Sequence, residues 1–404
     1  MSDDVTIVTG QQSISGWTSV RVTRAIERMP NDFQIELTEF FPADGSKIII
    51  QAGAPCQLKL GNDLVLTGYI DEYEAKIEAQ QHSVSVSGRS MSEDVVDCSA
   101  EWNSAQFVNS SALQIIQGLA SVYGIPVAQT PNTGNSKPIP QFNLMYGETA
   151  VEIIERITRY EQLIYYDMPD GSILLSQAST IKAGSALVQG VNVQSATVRL
   201  SMKRYSNYVC VYQSTASFSD GQSLGSGQNN SMNEFSQAVD NTVPRHRQKF
   251  IVVESGDYVG YTVTKLRSQW ECNRRAGKDY ELQVVVDSWR DGSGNLWQPN
   301  TLVDINIPAL KLADRTWLIG QVTYSRNEET GTTATLVLNP PIAFQPEPII
   351  LVPQPFAEGT PVPPAISSPD TTGVSSTVDQ LKASDLTTPI VNTSPIPLPA
   401  GSGQ

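Results

Sequence analysis

The sequence predicts a mainly β protein of two similar small β-barrels, interrupted by an α+β insert and followed by a proline-rich tail. Three observations lead there. A three-strand pattern occurs twice, 252 residues apart; segments of helical period lie between the copies; and the last 64 residues hold 13 of the 25 prolines and no Trp or Tyr. The first copy covers residues 57–60, 64–70 and 83–87, the second 303–307, 317–322 and 335–338. Alternation with period two marks half-buried strands, and a glycine inside one marks a bulge or a corner. Gly68 and Gly320 hold that place in the two middle strands, and 16 residues later each closing strand reaches its apolar register, at Val84 and Leu336.

The elements follow in order. Residues 1–88 form the first barrel, with further alternating strands at 19–23 and 33–37 and turns at Pro30-Asn31-Asp32 and Asp44-Gly45. Residues 89–189 form the insert. Its first helix covers 111–120, with Asn109 or Ser110 as N-cap and Gly124 and Pro126 as the stop. The second covers about 149–160, with Ala150, Ile153, Ile154, Ile157 and Tyr160 on one face, and a hairpin turns at Pro169-Asp170-Gly171. Residues 190–340 form the second barrel, beginning with strands at 191–200 and 208–212. A Ser/Gly/Asn-rich stretch at 214–233 reads as a long mobile loop, and a helix over about 258–275 is apolar at Val259, Val263, Leu266 and Trp270. Residues 341–404 bury too little apolar surface to fold alone and are expected to be extended or draped on a partner.

Bulk properties exclude several classes. With 404 residues and 40% hydrophobic composition the chain can bury real cores. No apolar run approaches the roughly 20 residues of a membrane helix, so no membrane insertion is expected. The start, Met1-Ser2-Asp3-Asp4, lacks the basic-then-apolar order of a signal peptide, which predicts retention in a cytosol. Cys56, Cys98, Cys210 and Cys272 are widely spaced, as suits reduced, buried thiols. A formal net charge of −14 disfavours duplex-gripping DNA or RNA binding but suits a surface that DNA passes without sticking.

Catalytic chemistry finds little support. Gly221-Gln222-Ser223-Leu224-Gly225 matches a nucleophile elbow, yet no buried strand enters it and no helix leaves. The two histidines, His82 and His246, sit in polar surroundings and read as surface residues. Asp71, Glu72 and Glu74 are the densest carboxylates; on a strand Glu72 and Glu74 share a face and Asp71 points the other way, as on a solvated barrel face. Basic clusters at Arg199/Lys203/Arg204, Arg245/Arg247/Lys249 and Arg274/Arg275/Lys278 read as surface charge or as contacts to acidic patches of neighbouring subunits. No phosphate loop, dinucleotide fingerprint or EF-hand is present, so neither cofactor nor metal is expected and the chain does not read as an enzyme.

The most specific stretch is Trp289-Arg290-Asp291-Gly292-Ser293-Gly294-Asn295-Leu296-Trp297-Gln298-Pro299-Asn300. Physically it is a strand end, a glycine-rich turn and a tryptophan anchoring re-entry, with Pro299 setting up the next strand. It resembles a signature of baseplate hub proteins from Mu-type contractile-tailed phages, a group related to the hub part of type VI secretion spikes. Further matches are Gly68-Tyr69-Ile70-Asp71, Ser87-Gly88-Arg89-Ser90 with Asp94-Val95-Val96-Asp97, Tyr123-Gly124-Ile125, Gly147-Glu148-Thr149 through Arg156, and Leu338-Asn339-Pro340-Pro341. The resemblance spans about residues 1–345 and makes Gly68, Asp71, Trp289, Asp291, Gly294, Trp297, Pro299 and Gly320 structural motif residues.

The resemblance implies a homotrimeric, pseudo-sixfold ring at the tail tip, joining the tail tube or adjacent baseplate proteins to a separate central spike protein. The implied tasks are nucleating tail assembly, contacting the tape-measure protein and providing a channel that ejected DNA traverses without sequence-specific binding. Assembly in the host cytoplasm and residence in the virion follow. Two rivals make different predictions: a tail-associated peptidoglycan hydrolase needs two carboxylates in a cleft, and a host-receptor-binding module favours exposed aromatics in long loops.

Overall fold

The computed structural model describes residues 4–38, 50–78, 81–101, 106–133, 138–214, 234–255 and 260–345. The readings placed on residues 215–233, including Gly221–Gly225, on Val259 and on the tail beyond 345 lie outside the described residues. The described chain is mainly β and forms two compact units, one containing described residues up to 201 together with 276–345 and the other those of 202–275.

The first unit opens with seven strands: β1 (Val5–Thr9), β2 (Gln12–Ile14), β3 (Ser19–Ala25), β4 (Asp32–Thr38), β5 (Pro55–Leu60), β6 (Asp63–Glu78) and β7 (Gln81–Ser90). In β1, β5 and β7 every second residue is buried, Val5 and Ile7 in β1, Cys56, Leu58 and Leu60 in β5, Val84 and Val86 in β7. Period two therefore reports the core face as expected.

The insert follows as α1 (Glu93–Asp97), β8 (Gln106–Ser110), α2 (Ala112–Ser121), β9 (Val127–Gln129), β10 (Ile139–Asn143), α3 (Ala150–Tyr160), β11 (Ile164–Asp167) and β12 (Ile173–Ser176). Both longer helices open on capping boxes, which satisfy two otherwise unpaired backbone donors. In α3 the box is Thr149 with Glu152. In α2 the cap is Ser111, not Asn109 or Ser110: the Ser111 hydroxyl accepts from the Gln114 amide at 3.2 Å, while Asn109 and Ser110 still belong to β8. Ile115, Ile116 and Leu119 of α2 and Ile153, Ile154 and Ile157 of α3 are buried. The β11–β12 hairpin turns at 169–171 as expected, and β12 also pairs in parallel with β9.

Next come β13 (Leu187–Val188) and β14 (Val193–Leu200), then the second unit with β15 (Asn207–Ser214), β16 (Glu234–Val239), β17 (Gln248–Ser255) and α4 (Gly260–Lys278). In that unit β15 lies between β16 and β17. Tyr208, Cys210, Ala238, Ile251 and Cys272 form its core. The buried side of α4 is polar, with Thr264, Ser268, Glu271 and Asn273 beside Cys272. The Ser268 and Ser236 hydroxyls meet at 3.1 Å. Leu266 and Trp270, expected to face a core, are only half-buried, and Trp270 lies between the Arg267 and Arg274 guanidinium groups. The apolar pattern misled because Arg side chains cover an aromatic ring as well as a core does.

The first unit is completed by β18 (Tyr280–Val286), β19 (Leu302–Ile307), β20 (Leu312–Asn327) and β21 (Gly331–Asn339). The repeat seen in sequence is larger in structure. The first copy pairs in the order β1-β5-β6-β7-β4-β3 and the second in the order β13-β19-β20-β21-β18-β14, so six strands are used in the same chain order twice. Between the copies β20 pairs with β3, joining both in one 13-stranded sheet.

Each middle strand carries a bulge. One falls between Ile70 and Glu72, the other between Ile319 and Gln321. Asp71 and Gly320 are the extra residues, each seven positions before the last residue of its strand, Glu78 or Asn327. This corrects two expectations. Gly68 is not the bulge and is not the counterpart of Gly320, despite the matching 16-residue interval. Asp71 is not simply on the opposite strand face from Glu72; it is the residue the ladder skips.

Candidate functional site: a tryptophan turn and a carboxylate cluster

Gly68 pairs with both Cys56 and Ser90, where two strands close on it. A Cβ there would lie 1.9 Å from the Arg89 carbonyl oxygen, so only glycine fits. Gly320 is crowded differently, by the Phe344 ring at 2.8 Å from a built Cβ. The Leu338–Pro341 motif ends β21 and starts the short turn that brings Phe344 there.

Trp289 and Trp297 are 1% and 2% exposed and close the turn between β18 and β19. The Trp297 amide donates to the Trp289 carbonyl at 3.0 Å, and the Trp289 indole N–H donates to the Ser325 carbonyl at 3.0 Å. Tyr324 donates its hydroxyl to the Trp297 carbonyl. Inside the turn Asp291 accepts from the amides of Ser293, Asn295 and Gly184 at 2.9, 3.1 and 2.8 Å. Gly294 has φ +86°, a conformation that favours glycine. Pro299 is buried. The motif residues at 289–299 are thus brought together as a structural knot, with Gly320 on the following strand and Gly68 and Asp71 elsewhere in the sheet.

Three residues of or near this knot went unrecognised as ties. Arg290 reaches Asp63 at 2.6 Å, anchoring the turn to the β5–β6 corner of the first copy. Buried Arg24 donates to Gln298 at 3.0 Å. Asn300 donates to the Tyr166 hydroxyl and the Gln177 carbonyl and accepts from the Ser179 amide, which fastens the insert to the second copy. Its φ of +59° is one that Asn tolerates better than most residues.

A second cluster gathers at the first bulge. Arg89 binds Asp71 at 2.7 Å, Glu93 at 3.2 Å and Asp97 at 2.9 Å. Burial pushes the Glu93 carboxyl up to about 8, with its hydrogen bond to Asp71 as the next cause. Nearby, buried Asp167 accepts from Ser90 at 2.5 Å and from the Asn31 amide at 2.9 Å, and burial raises its pKa. An acid pair therefore does exist off the strand faces, which the sequence did not reveal. Asp71 and Glu93 are both gripped by Arg89, however, so the pair joins α1 to the sheet. Glu72 and Glu74 stand exposed, as expected for a solvated face.

Among the other candidates, His246 is exposed. The cysteines are all free, but Cys98 is exposed where burial was expected, because it caps the end of α1. Arg204 is no surface charge: it is buried against Asp240 at 2.7 Å. Arg247, Lys249 and Arg275, from two of the basic clusters, converge on the Tyr205 ring at 5.1, 5.6 and 5.5 Å. Among the described residues no group of His, Cys, Asp or Glu could hold a metal ion, and no helix is long and apolar enough to cross a membrane.

Comparison with known proteins gives these features a context. Residues 4–90 match the N-terminal domain model of Mu phage baseplate assembly protein GpP-like proteins. Residues 92–177 match the second domain of baseplate hub protein gp44-like proteins, and 261–347 the fourth domain of Mu phage baseplate assembly protein GpP. The chain is 27% identical over 346 residues to baseplate hub protein gp44 of Escherichia phage Mu, covering 85% of this chain and 89% of that one. Its fold superposes on the 43 kDa tail protein of prophage MuSo2 from Shewanella oneidensis with a TM-score of 0.73 and 28% identity, covering 85% and 99% of the two chains. A tail protein from Neisseria meningitidis shares the fold at a TM-score of 0.71 and 18% identity, over 85% and 98%.

The matched domain models and relatives are structural components of phage tails, and that is the class of protein they define here. The chain belongs to the family of Mu-type baseplate hub proteins. Its place is the baseplate of the virion.

Proposed function

We propose that three copies of this chain form a ring that joins the tail tube to the central spike and encloses the channel for ejected DNA. The observation that carries this reading is the doubled six-strand arrangement. Two like units per chain and three chains per ring present six similar units to a sixfold tube and a threefold face to a trimeric spike. The sheet closes into a barrel only when neighbouring copies meet. The net charge of −14 supports a lumen of acidic or neutral polar side chains, along which DNA slides without binding. On this reading the strands of residues 1–88 supply one barrel unit and, within the expected 190–340 domain, β14 and β18–β21 supply the other together with β13. Residues 89–189 otherwise form the insert and 341–404 an extended strap for the spike or tape-measure protein. The motif residues, from Gly68 and Asp71 to Gly320, hold the two units in register.

The mass of the full-length protein in solution tests this. A trimer, or a monomer that becomes a trimer with its spike protein, is the expected result. A chain that stays monomeric with its spike present overturns it, and a ring lined with Lys and Arg overturns the channel reading.

A further inference from the structure

The internal junction between the two copies shows what a neighbouring chain would complete. On one side of β20, residues 321–326 pair with β3, from Gln321 with Ala25 to Arg326 with Val20. The counterpart of that segment in the first copy is β6 from Glu72 to Ile77. Its outer edge pairs with no strand among the described residues, since β5 reaches only to Tyr69 and β7 lies on the other side. The counterpart of β3 is β14, whose residues 195–200 pair among the described residues with β18 alone. An exposed pair of backbone edges is a template for strand addition.

The ladders fix the register. Arg21, Gln34, Ser87 and Glu72 lie in one cross-strand row of the first copy. Thr197, Gln283, Val337 and Gln321 form the matching row of the second. Both rows end on the first residue past the bulge. In the internal junction Gln321 meets Ala25, four residues beyond Arg21. The same step places Glu72 opposite Ser201, four beyond Thr197.

We propose that β6 of one copy pairs antiparallel with β14 of the next, with Tyr73 opposite Leu200, Glu74 opposite Arg199 and Ile77 opposite Ala196. This rests on the ring reading above and supplies its interface. Side-chain chemistry supports the register independently of the backbone count. Tyr73, Ile77 and Leu200 are 39%, 77% and 51% exposed in the single chain, unusual for such residues on strands. In this register they share one face, the face on which Val20, Val22, Val322 and Tyr324 are buried at the internal junction. The alternate residues form a polar face in which a carboxylate meets a guanidinium. Among the described residues neither Glu74 nor Arg199 has an ion-pair partner. A slip by one residue would set Tyr73 against Arg199 and move every apolar side chain to the wrong face.

Disulfide trapping tests the pairing in the full-length chain with Cys98→Ser, which removes the exposed native thiol. Residues directly opposite lie about 4.5–5.5 Å apart and can be bridged, whereas diagonal neighbours at about 7–8 Å cannot. Tyr73→Cys with Leu200→Cys is expected to give covalent dimers and trimers on mild oxidation, and Tyr73→Cys with Val198→Cys to give at least about tenfold less. Glu74→Arg is expected to weaken self-association up to about fivefold per interface, with recovery on adding Arg199→Glu. Masses are measured in parallel, for the chain with its spike as well as alone. Trimers without the 73–200 bridge overturn the strand assignment and leave the ring standing. A chain that remains monomeric in both settings overturns the ring, and equal bridging at 198 and 200 overturns the register.

Discussion

At the bulge of β6 stands Asp71, held with Glu93 and Asp97 on the Arg89 guanidinium; at the bulge of β20 stands Gly320, with the Phe344 ring packed over it. Each sits seven residues from its strand end, in the same six-strand order. One site is ionic and faces the insert, the other is apolar and closes the end of the second copy. The common property is the backbone irregularity, which bends a long strand so that its two halves serve different neighbours. Side chains were free to diverge around it. The outer half of β20 meets β3 inside the chain, whereas the outer half of β6 has β7 on one side and no strand on the other among the described residues.

The largest expected break in this comparison lies in the turn that the second copy inserts between β18 and β19. Trp289→Ala removes a fully buried indole and its hydrogen bond to Ser325, and should cost about 3–5 kcal/mol. Denaturant unfolding of the full chain checks it. A loss below about 1 kcal/mol would mean that the turn does not hold the two copies together.

A smaller contrast comes from the glycines. Gly68→Ala forces a methyl group against the Arg89 carbonyl and the Ser90 backbone, which cannot move without opening β6 from β7. Gly320→Ala meets the edge of the buried Phe344 ring at 2.8 Å, a side-chain contact that is looser than the 1.9 Å backbone clash at Gly68. Expected losses are about 3 kcal/mol for the first and about 1 kcal/mol for the second, by the general cost of overpacking. Equal losses would show that the two glycines do equivalent work after all, as their spacing in sequence suggested.

That spacing illustrates what the sequence could and could not carry. Alternation placed the strands at 19–23, 33–37, 57–60 and 303–307, because one buried face imposes period two on local sequence. The Trp289–Asn300 turn was legible because tight turns and anchoring indoles demand particular residues at short range. The β3–β20 pairing was not, since residues about 300 positions apart leave no local signal of register. The Arg89 cluster was hidden for the same reason: Asp71 and Glu93 look like two ordinary surface acids until the bulge turns one toward the other. In α4 the polar buried face defied the pattern because Ser236 and Ser268 satisfy each other.

The smallest effect is also the most specific to the first copy. Burial raises the Glu93 pKa from 4.5 to about 8, so the folded state binds its proton more tightly than the unfolded chain does. Stability contributed by this group is complete below pH 4.5 and is lost as the pH rises through about 8. Glu93→Gln keeps an N–H donor toward Asp71 and removes the titration. Wild type should therefore lose on the order of 1 kcal/mol more than the variant between pH 5 and pH 8, a figure discounted for the water that reaches Arg89 and Asp71. Hydrogen exchange locates the change: it should quicken with pH around β6 and β7 in wild type and stay level around β20 and β21, where Gly320 brings no carboxylate. An equal pH dependence in Glu93→Gln would remove the Glu93 proton from the first bulge as a stabilising device and leave it, like the second, a matter of backbone geometry.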